Sequence, residues 1–171
     1  RVMIDGREVR FSTPRDAIAA GISAVHKERN LVPRFSVGEN IALERLPTRN
    51  GLIDYAEVDR EARRYLDLLD RGIDTRAEVR TLSVAQMQIV EIAKALSLEA
   101  KILLLDEPTA SITEHETAAL FTLLRKLRAE GVAMLFVSHK LEEVFEIADR
   151  VTVLRDGKNA AVGVPMAEMS R

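Results

Sequence analysis

Ile102-Leu103-Leu104-Leu105-Asp106-Glu107-Pro108-Thr109 is the stretch that decides how this chain is read. Four consecutive aliphatic residues fit a strand buried on both faces, as in a parallel sheet covered by helices. Pro108 ends it, because proline donates nothing to a ladder and restricts the residue before it. Two carboxylates stand where the strand stops. In open α/β sheets ligands lie outside the carboxyl ends of the strands, so Asp106 and Glu107 are expected at the mouth of a site. One carboxylate there can hold Mg²⁺, directly or through water. Its neighbour can orient or deprotonate a water. Taken alone, the stretch fits a solvated Asp-Glu pair equally well, since motifs this short match by chance.

Downstream the pattern continues. A helix is expected over 114–130, with Leu120, Phe121, Leu124 and Leu127 as its apolar stripe and Gly131 after its end. Residues 132–137 form a second near-continuous apolar run, read as another buried strand, which ends at Ser138-His139-Lys140. Parallel strands ending in Asp-Glu and in Ser-His bring these groups to one sheet edge. A short amphipathic helix is expected over 141–149, and Asp156-Gly157 marks a hairpin turn.

Upstream, Asp5-Gly6 marks another hairpin. Thr13, Pro14 and Asp16 open a short helix that Gly21 closes. A strand over 22–25 follows and ends at His26-Lys27-Glu28. From Ser36 the character changes. Ser36-Val37-Gly38-Glu39 and Ser83-Val84-Ala85-Gln86 both have the spacing of a capping box. Val58, Ala62, Tyr65, Leu66 and Leu69 recur at helical spacing, as do Ile89, Ile92, Ala93 and Leu96. The expected architecture is an α/β core from residues 1–35 and 100–171, with an all-helical subdomain over 36–99 inserted in it.

Composition excludes several classes. In 171 residues, 47% are hydrophobic and 30% charged, which fits a globular chain. A net charge of −2 gives no support to a nucleic-acid binder. The absence of cysteine removes disulfide frameworks and thiolate metal sites. His26 and His115 read as structural or surface residues. No apolar run is long enough to span a bilayer and no secretory leader is evident, so a cytosolic location is expected. The chain begins with Arg1, which fits an excised or internal fragment.

Taken together, residues 82–96, 102–116 and 137–149 resemble the ATP-binding subunit of an ABC transporter. The signature motif, Walker B strand, D-loop and switch histidine occur in the family's order and spacing. The wording Leu31-Val32-Pro33, Ser36-Val37-Gly38-Glu39-Asn40-Ile41, Val90-Glu91-Ile92-Ala93-Lys94-Ala95-Leu96 and Thr113-Glu114-His115-Glu116 is most similar to bacterial importers of ribose, galactose and xylose. The resemblance implies a P-loop NTPase-like parallel sheet with ATP and Mg²⁺ as cofactors. It implies that Asp106 holds Mg²⁺ through water, Glu107 polarises the attacking water and His139 meets the γ-phosphate. Ser83, Ala85 and Gln86 match signature residues that touch ATP held by an opposite domain. Ser111-Ile112-Thr113 falls in the D-loop facing that partner. The implied partners are membrane permease subunits, a second nucleotide-binding domain and, indirectly, a periplasmic sugar-binding protein. The implied location is the inner face of the cell membrane.

Three departures qualify the resemblance. The sequence holds no Gly-x-x-x-x-Gly-Lys-[Ser/Thr] loop, the family's cradle for the β- and γ-phosphates. Lys27 stands where the family's Q-loop has glutamine, and a protonated lysine neither accepts a hydrogen bond nor ligates metal. Ala85 replaces a common glycine. The expectation is therefore a chain inactive alone, with apolar sheet surface that promotes self-association. Two alternatives remain, a soluble family ATPase outside transport and a non-catalytic binding module.

Overall fold

A computed structural model describes residues 2–26, 30–70 and 72–169. The chain opens with an antiparallel hairpin of β1 (Val2–Ile4) and β2 (Arg7–Val9). Helix α1 (Pro14–Ala19) follows, and Thr13 and Asp16 close its capping box. Strand β3 (Ile22–Val25) then starts the central sheet. The chain next builds α2 (Val37–Ala42), a small hairpin of β4 (Thr48–Arg49) and β5 (Leu52–Ile53), α3 (Tyr55–Leu69) and α4 (Val84–Ser97). It returns to the sheet with β6 (Ile102–Asp106), crosses over by α5 (Glu114–Ala129) and adds β7 (Ala133–Val137). Helix α6 (Leu141–Ile147) and an antiparallel pair, β8 (Arg150–Arg155) and β9 (Lys158–Pro165), complete it.

The central sheet is parallel, in the order β3-β6-β7. Its register places Val25 beside Leu105 and Leu105 beside Phe136, so all three strands end at one rim. The α/β class follows from this sheet and its crossover helix.

Two expectations need correction. β6 and β7 are not buried on both faces. Leu103 and Leu105 are fully buried, whereas Leu104 between them is half-buried. In β7, Leu135 and Val137 remain 58% and 48% exposed. The helices α4 and α5 supply Ile92, Leu96, Leu120, Phe121 and Leu124 to one face only. The opposite face, with Ala24, Leu104 and Leu135 in register, lies largely open. A run of aliphatics thus reported a two-sided strand where burial alternates. The segment between β3 and β6 is also not all-helical, since Asn50 and Gly51, both at positive φ, turn the β4–β5 hairpin inside it.

Hydrophobic burial forms two clusters. One joins the sheet to α4 and α5; the other joins α2, α3 and α4 around Val37, Ile41, Leu66 and Val90. Tyr65 and Leu69 pack against both. Helix α4 enters both as well, giving Ile92, Ala95 and Leu96 to the first and Val90 and Ala93 to the second. At Gly38 an added Cβ would meet Val58 Cγ1 at 3.1 Å and Thr75 O at 3.3 Å, so glycine lets α2 lie close to α3.

From Asn30 onward the segment before α2 is tied down by polar contacts. Asn30 N donates to Glu91 Oε1 at 2.6 Å, and Lys94 Nζ donates to Asn30 O at 3.2 Å, fixing it on α4. Asn40, fully buried, accepts from Val32 N at 2.7 Å and donates to Val32 O at 3.1 Å. A buried amide matched this way is satisfied rather than costly.

Candidate functional site

The carboxyl rim of the sheet carries the residues of interest. Asp106 is the last residue of β6 and pairs with Val137 of β7. Its carboxylate is exposed. Glu107 has φ +44, in the left-handed region. A non-glycine residue there carries strain of about 1–3 kcal/mol, which persists only where the surroundings enforce it. Glu107 N donates to Val137 O at 2.9 Å, Ala110 N donates to Glu107 O at 3.1 Å, and Pro108 and Thr109 are buried.

This strain turns the Glu107 side chain toward the loop after β7. His139 Nδ1 lies 3.1 Å from Glu107 Oε1. The imidazole is 69% exposed and the glutamate 24%, so the pair faces solvent with its carboxylate half sheltered. With a proton on Nδ1 the ring donates to the carboxylate and offers Nε2 outward. A second proton makes Nε2 a donor, suited to an anionic oxygen.

Beneath this pair lies a second acidic group that the sequence reading did not single out. Glu143, in the first turn of α6, is only 8% exposed. Its Oε2 accepts from Thr109 Oγ1 at 2.7 Å and from Ser138 Oγ at 3.1 Å, and its Oε1 meets Lys140 Nζ at 2.9 Å. Burial pushes its carboxyl up, but hydrogen bonds from Thr109, Lys140 and Ser138, with the Lys140 charge, outweigh that and hold it below the usual glutamate range. Meanwhile Leu141 in the same helix is 69% exposed. The amphipathic expectation for 141–149 thus inverts at its start: an acid goes in and a leucine stays out. The available signal was position, a Glu in the first turn of the helix that starts just after Ser138-His139-Lys140.

The predicted Ser83 turn forms as read. Ser83 Oγ accepts from Gln86 N at 3.2 Å and Gln86 Oε1 accepts from Ser83 N at 3.0 Å. Ser83 is exposed and opens α4. Its capping box engages the Gln86 side chain, while the amides of Val84 and Ala85 have no intrahelical partner and point out of the helix start. Ala85, Gln86 and Gln88 also line a cavity of about 330 Å³ between the starts of α4 and α5, with Ile112 and Leu120 opposite. His115, exposed as expected, lies at its edge. The side-chain amide nitrogen of Gln88 is buried with no hydrogen-bond partner among the described residues. His26 is exposed just after β3, on the same side of the sheet as the ends of β6 and β7. Lys27 lies outside the described residues.

Among the described residues no group of three His, Cys, Asp or Glu side chains could hold a metal ion. Mg²⁺ needs fewer protein ligands than that. It keeps several waters and binds through one or two carboxylates plus substrate phosphates. Asp106, exposed at a strand end and with no side-chain hydrogen bond or ion pair described among these residues, fits that mode.

Comparisons with known proteins bear on the family and the fold. The profile of the family described as ABC transporter matches residues 1–110. A putative ribose/galactose/methyl galactoside import ATP-binding protein of Burkholderia ambifaria is 52% identical over 94% of this chain. The ribose import ATP-binding protein RbsA of Chromobacterium violaceum is 50% identical over 91% of it. The galactose/methyl galactoside import ATP-binding protein MglA of Escherichia coli is 48% identical over 92%. The chain spans 31% of the length of each of these relatives. Among solved structures, a nucleotide-free ATP-binding cassette from an ABC transporter aligns with TM-score 0.76 at 21% identity, covering 92% of this chain and 66% of that one. A cassette in its ADP conformation aligns with TM-score 0.72 at 23% identity, covering 86% of this chain and 62% of that one. Among the described residues no helix is long and apolar enough to cross a membrane. With a parallel sheet ending in Asp-Glu and Ser-His, a capped signature-like helix and this degree of identity, the chain belongs to the ABC transporter family.

Proposed function

We propose that these residues serve an ATP-hydrolysing, energy-coupling subunit of a sugar importer. The observation that carries the reading is the 3.1 Å contact between His139 Nδ1 and Glu107 Oε1 at the rim where Asp106 ends β6. Phosphoryl transfer to water needs positioning and charge neutralisation more than covalent chemistry. Bound Mg²⁺ supplies that neutralisation at the phosphate oxygens. Asp106 holds the cation, directly or through water. Glu107, sheltered and turned by its strained backbone, orients the attacking water and receives its proton. His139 donates from Nε2 toward the terminal phosphate while Nδ1 stays on Glu107. Ser83, Ala85 and Gln86 present the start of α4 to nucleotide held by a second nucleotide-binding domain, and Gln86 leaves its capping box to do so. Ser111-Ile112-Thr113 faces that same domain. Lys27 stands at the sequence position of the Q-loop glutamine and replaces a neutral amide with a positive charge.

Permease subunits are the proposed partners of the chain at the inner face of the membrane, with a periplasmic sugar-binding protein acting indirectly through them. The names of the three relatives support a ribose- or galactose-like cargo. The 171 residues contain no Gly-x-x-x-x-Gly-Lys-[Ser/Thr] loop, so the chain by itself neither binds ATP tightly nor hydrolyses it.

Both statements are testable. Residues 1–171 are exchanged for the matching segment of the Escherichia coli galactose relative, which is 48% identical. The exchange should retain ATP hydrolysis, and Glu107→Gln in it should abolish hydrolysis while leaving nucleotide binding. Undiminished turnover in the Glu107→Gln exchange refutes the assigned role. Steady-state hydrolysis by the purified 171-residue chain, lost on Glu107→Gln, refutes the claim that it is inactive alone.

A further inference from the structure

We infer that Glu143 is a positioning residue that yokes the turn after β6 to the loop after β7 and thereby sets His139 against Glu107. The inference rests on the reading of Glu107 and His139 as the reacting pair. It goes beyond that reading because the bonds described for Glu143 run to Thr109, Ser138 and Lys140 rather than to the reacting pair.

The geometry is specific. The Glu107–His139 contact joins two loops that leave different strands. Within the strands the β6–β7 ladder fixes their relation, but the ladder ends at Asp106 and Val137. Beyond it, Glu107 N still bonds Val137 O at 2.9 Å, and the described contacts that next bridge the loops converge on one carboxylate. Thr109, two residues past Glu107 and 2% exposed, donates to Glu143 Oε2 at 2.7 Å. Ser138, immediately before His139, donates to that same oxygen at 3.1 Å. Lys140, immediately after His139, meets the other oxygen at 2.9 Å, and its own amide donates to Ser138 Oγ at 3.0 Å. His139 is therefore held on both sides by residues fastened to Glu143, and Glu107 is followed by a turn fastened to it too.

A neutral residue cannot replace this arrangement. An ionised carboxylate accepts from several donors at once, and hydrogen bonds to it are about twice as strong as neutral ones. An amide at 143 keeps one acceptor oxygen, so its N–H₂ must face either the two hydroxyls on Oε2 or the Lys140 ammonium on Oε1. The strained Glu107 backbone needs such an anchor, because a left-handed glutamate relaxes unless its turn is held.

The test reads His139 directly, without nucleotide. The ¹³Cε1 and ring ¹⁵N resonances of His139 are followed in the 171-residue protein and in Glu107→Gln, Glu143→Gln and Ser138→Ala, at one pH. Native far-UV circular dichroism and a native amide spectrum are required of each variant. The expected result is that Glu143→Gln moves the His139 resonances in the direction of Glu107→Gln and broadens them, with Ser138→Ala producing a smaller shift of the same sign. The slowly exchanging hydroxyl proton expected of buried Thr109 should be lost in Glu143→Gln. Unchanged His139 resonances in a natively folded Glu143→Gln overturn the proposal and leave Glu143 as a packing residue. If Glu143→Gln fails to fold, Ser138→Ala decides alone, and an unmoved His139 there overturns it equally. If Glu107→Gln itself leaves His139 unmoved, the pairing of Glu107 with His139 fails first, whatever Glu143 does.

Discussion

Replacing Glu107 by glycine and, separately, by alanine tests whether the acidic rim stores strain. Glu107 sits at φ +44. Both variants lose the contact with His139 equally, so that loss cancels between them. Alanine keeps the left-handed penalty, roughly 1–2 kcal/mol for a residue with a Cβ. Glycine escapes it but gives up about 0.5–1 kcal/mol more in chain entropy on folding. The balance favours glycine over alanine by about 0.5–1 kcal/mol. For a chain of this length a kcal/mol corresponds to roughly 2–4 °C in Tm, so the expected gap is about 1–4 °C with glycine the more stable. At an ordinary backbone position the order is reversed, and alanine leads by about 0.5–1 kcal/mol. The sign is therefore the assay, read from urea unfolding with equal m values and checked by a thermal melt. Alanine as stable as glycine or more so refutes the strain argument and, with it, the claim that the turn is held against its own preference.

Four further outcomes follow from the structure. Glu143→Gln should flatten the acid limb of the stability profile. Because the folded carboxyl is held below its usual range, its contribution is complete above that range and fades as pH falls through it, so the wild type should lose stability there more steeply than the variant in urea titrations from pH 7 downward. Leu103→Ala, at a fully buried position, should cost about 2–5 kcal/mol by chemical unfolding. Gln88→Leu should raise stability by about 1 kcal/mol, because it removes a buried amide donor that has no partner and keeps the apolar wall of the cavity. Leu135→Lys with Val137→Lys, both on the open sheet face, should lower the weight-average mass in sedimentation equilibrium if that face drives self-association; an unchanged mass in a chain that does associate removes the sheet face as its cause.

Much of this was legible in the sequence because local rules decided it. The capping boxes at Thr13, Ser36 and Ser83 form with both reciprocal bonds, as their spacing required. Thr113 adds a further one with Glu116, which had been read only as part of a resemblance. The meeting of Glu107 with His139 followed from two apolar runs ending in polar groups, once both were taken as parallel. What escaped was decided by tertiary context. Whether a strand is covered on one face or two depends on which helices reach it, and a run such as Leu103-Leu104-Leu105 reads alike in either case. The burial of Glu143 depends on three donors brought in from Thr109, Ser138 and Lys140, and a lone Glu in a polar helix start looks solvated. The left-handed Glu107 was hidden for a related reason: proline at 108 pointed to an extended predecessor, and the bond to Val137 O won instead.

Helix α4 has a mechanical consequence beyond its packing. Its Ile92 and Leu96 are locked among sheet residues while Val90 and Ala93 are locked among α2 and α3. The sheet and the helical cluster thus share one element, and α2 or α3 cannot shift against the sheet without breaking contacts that α4 makes in one cluster or the other. Ser83 lies at the exposed end of that shared element.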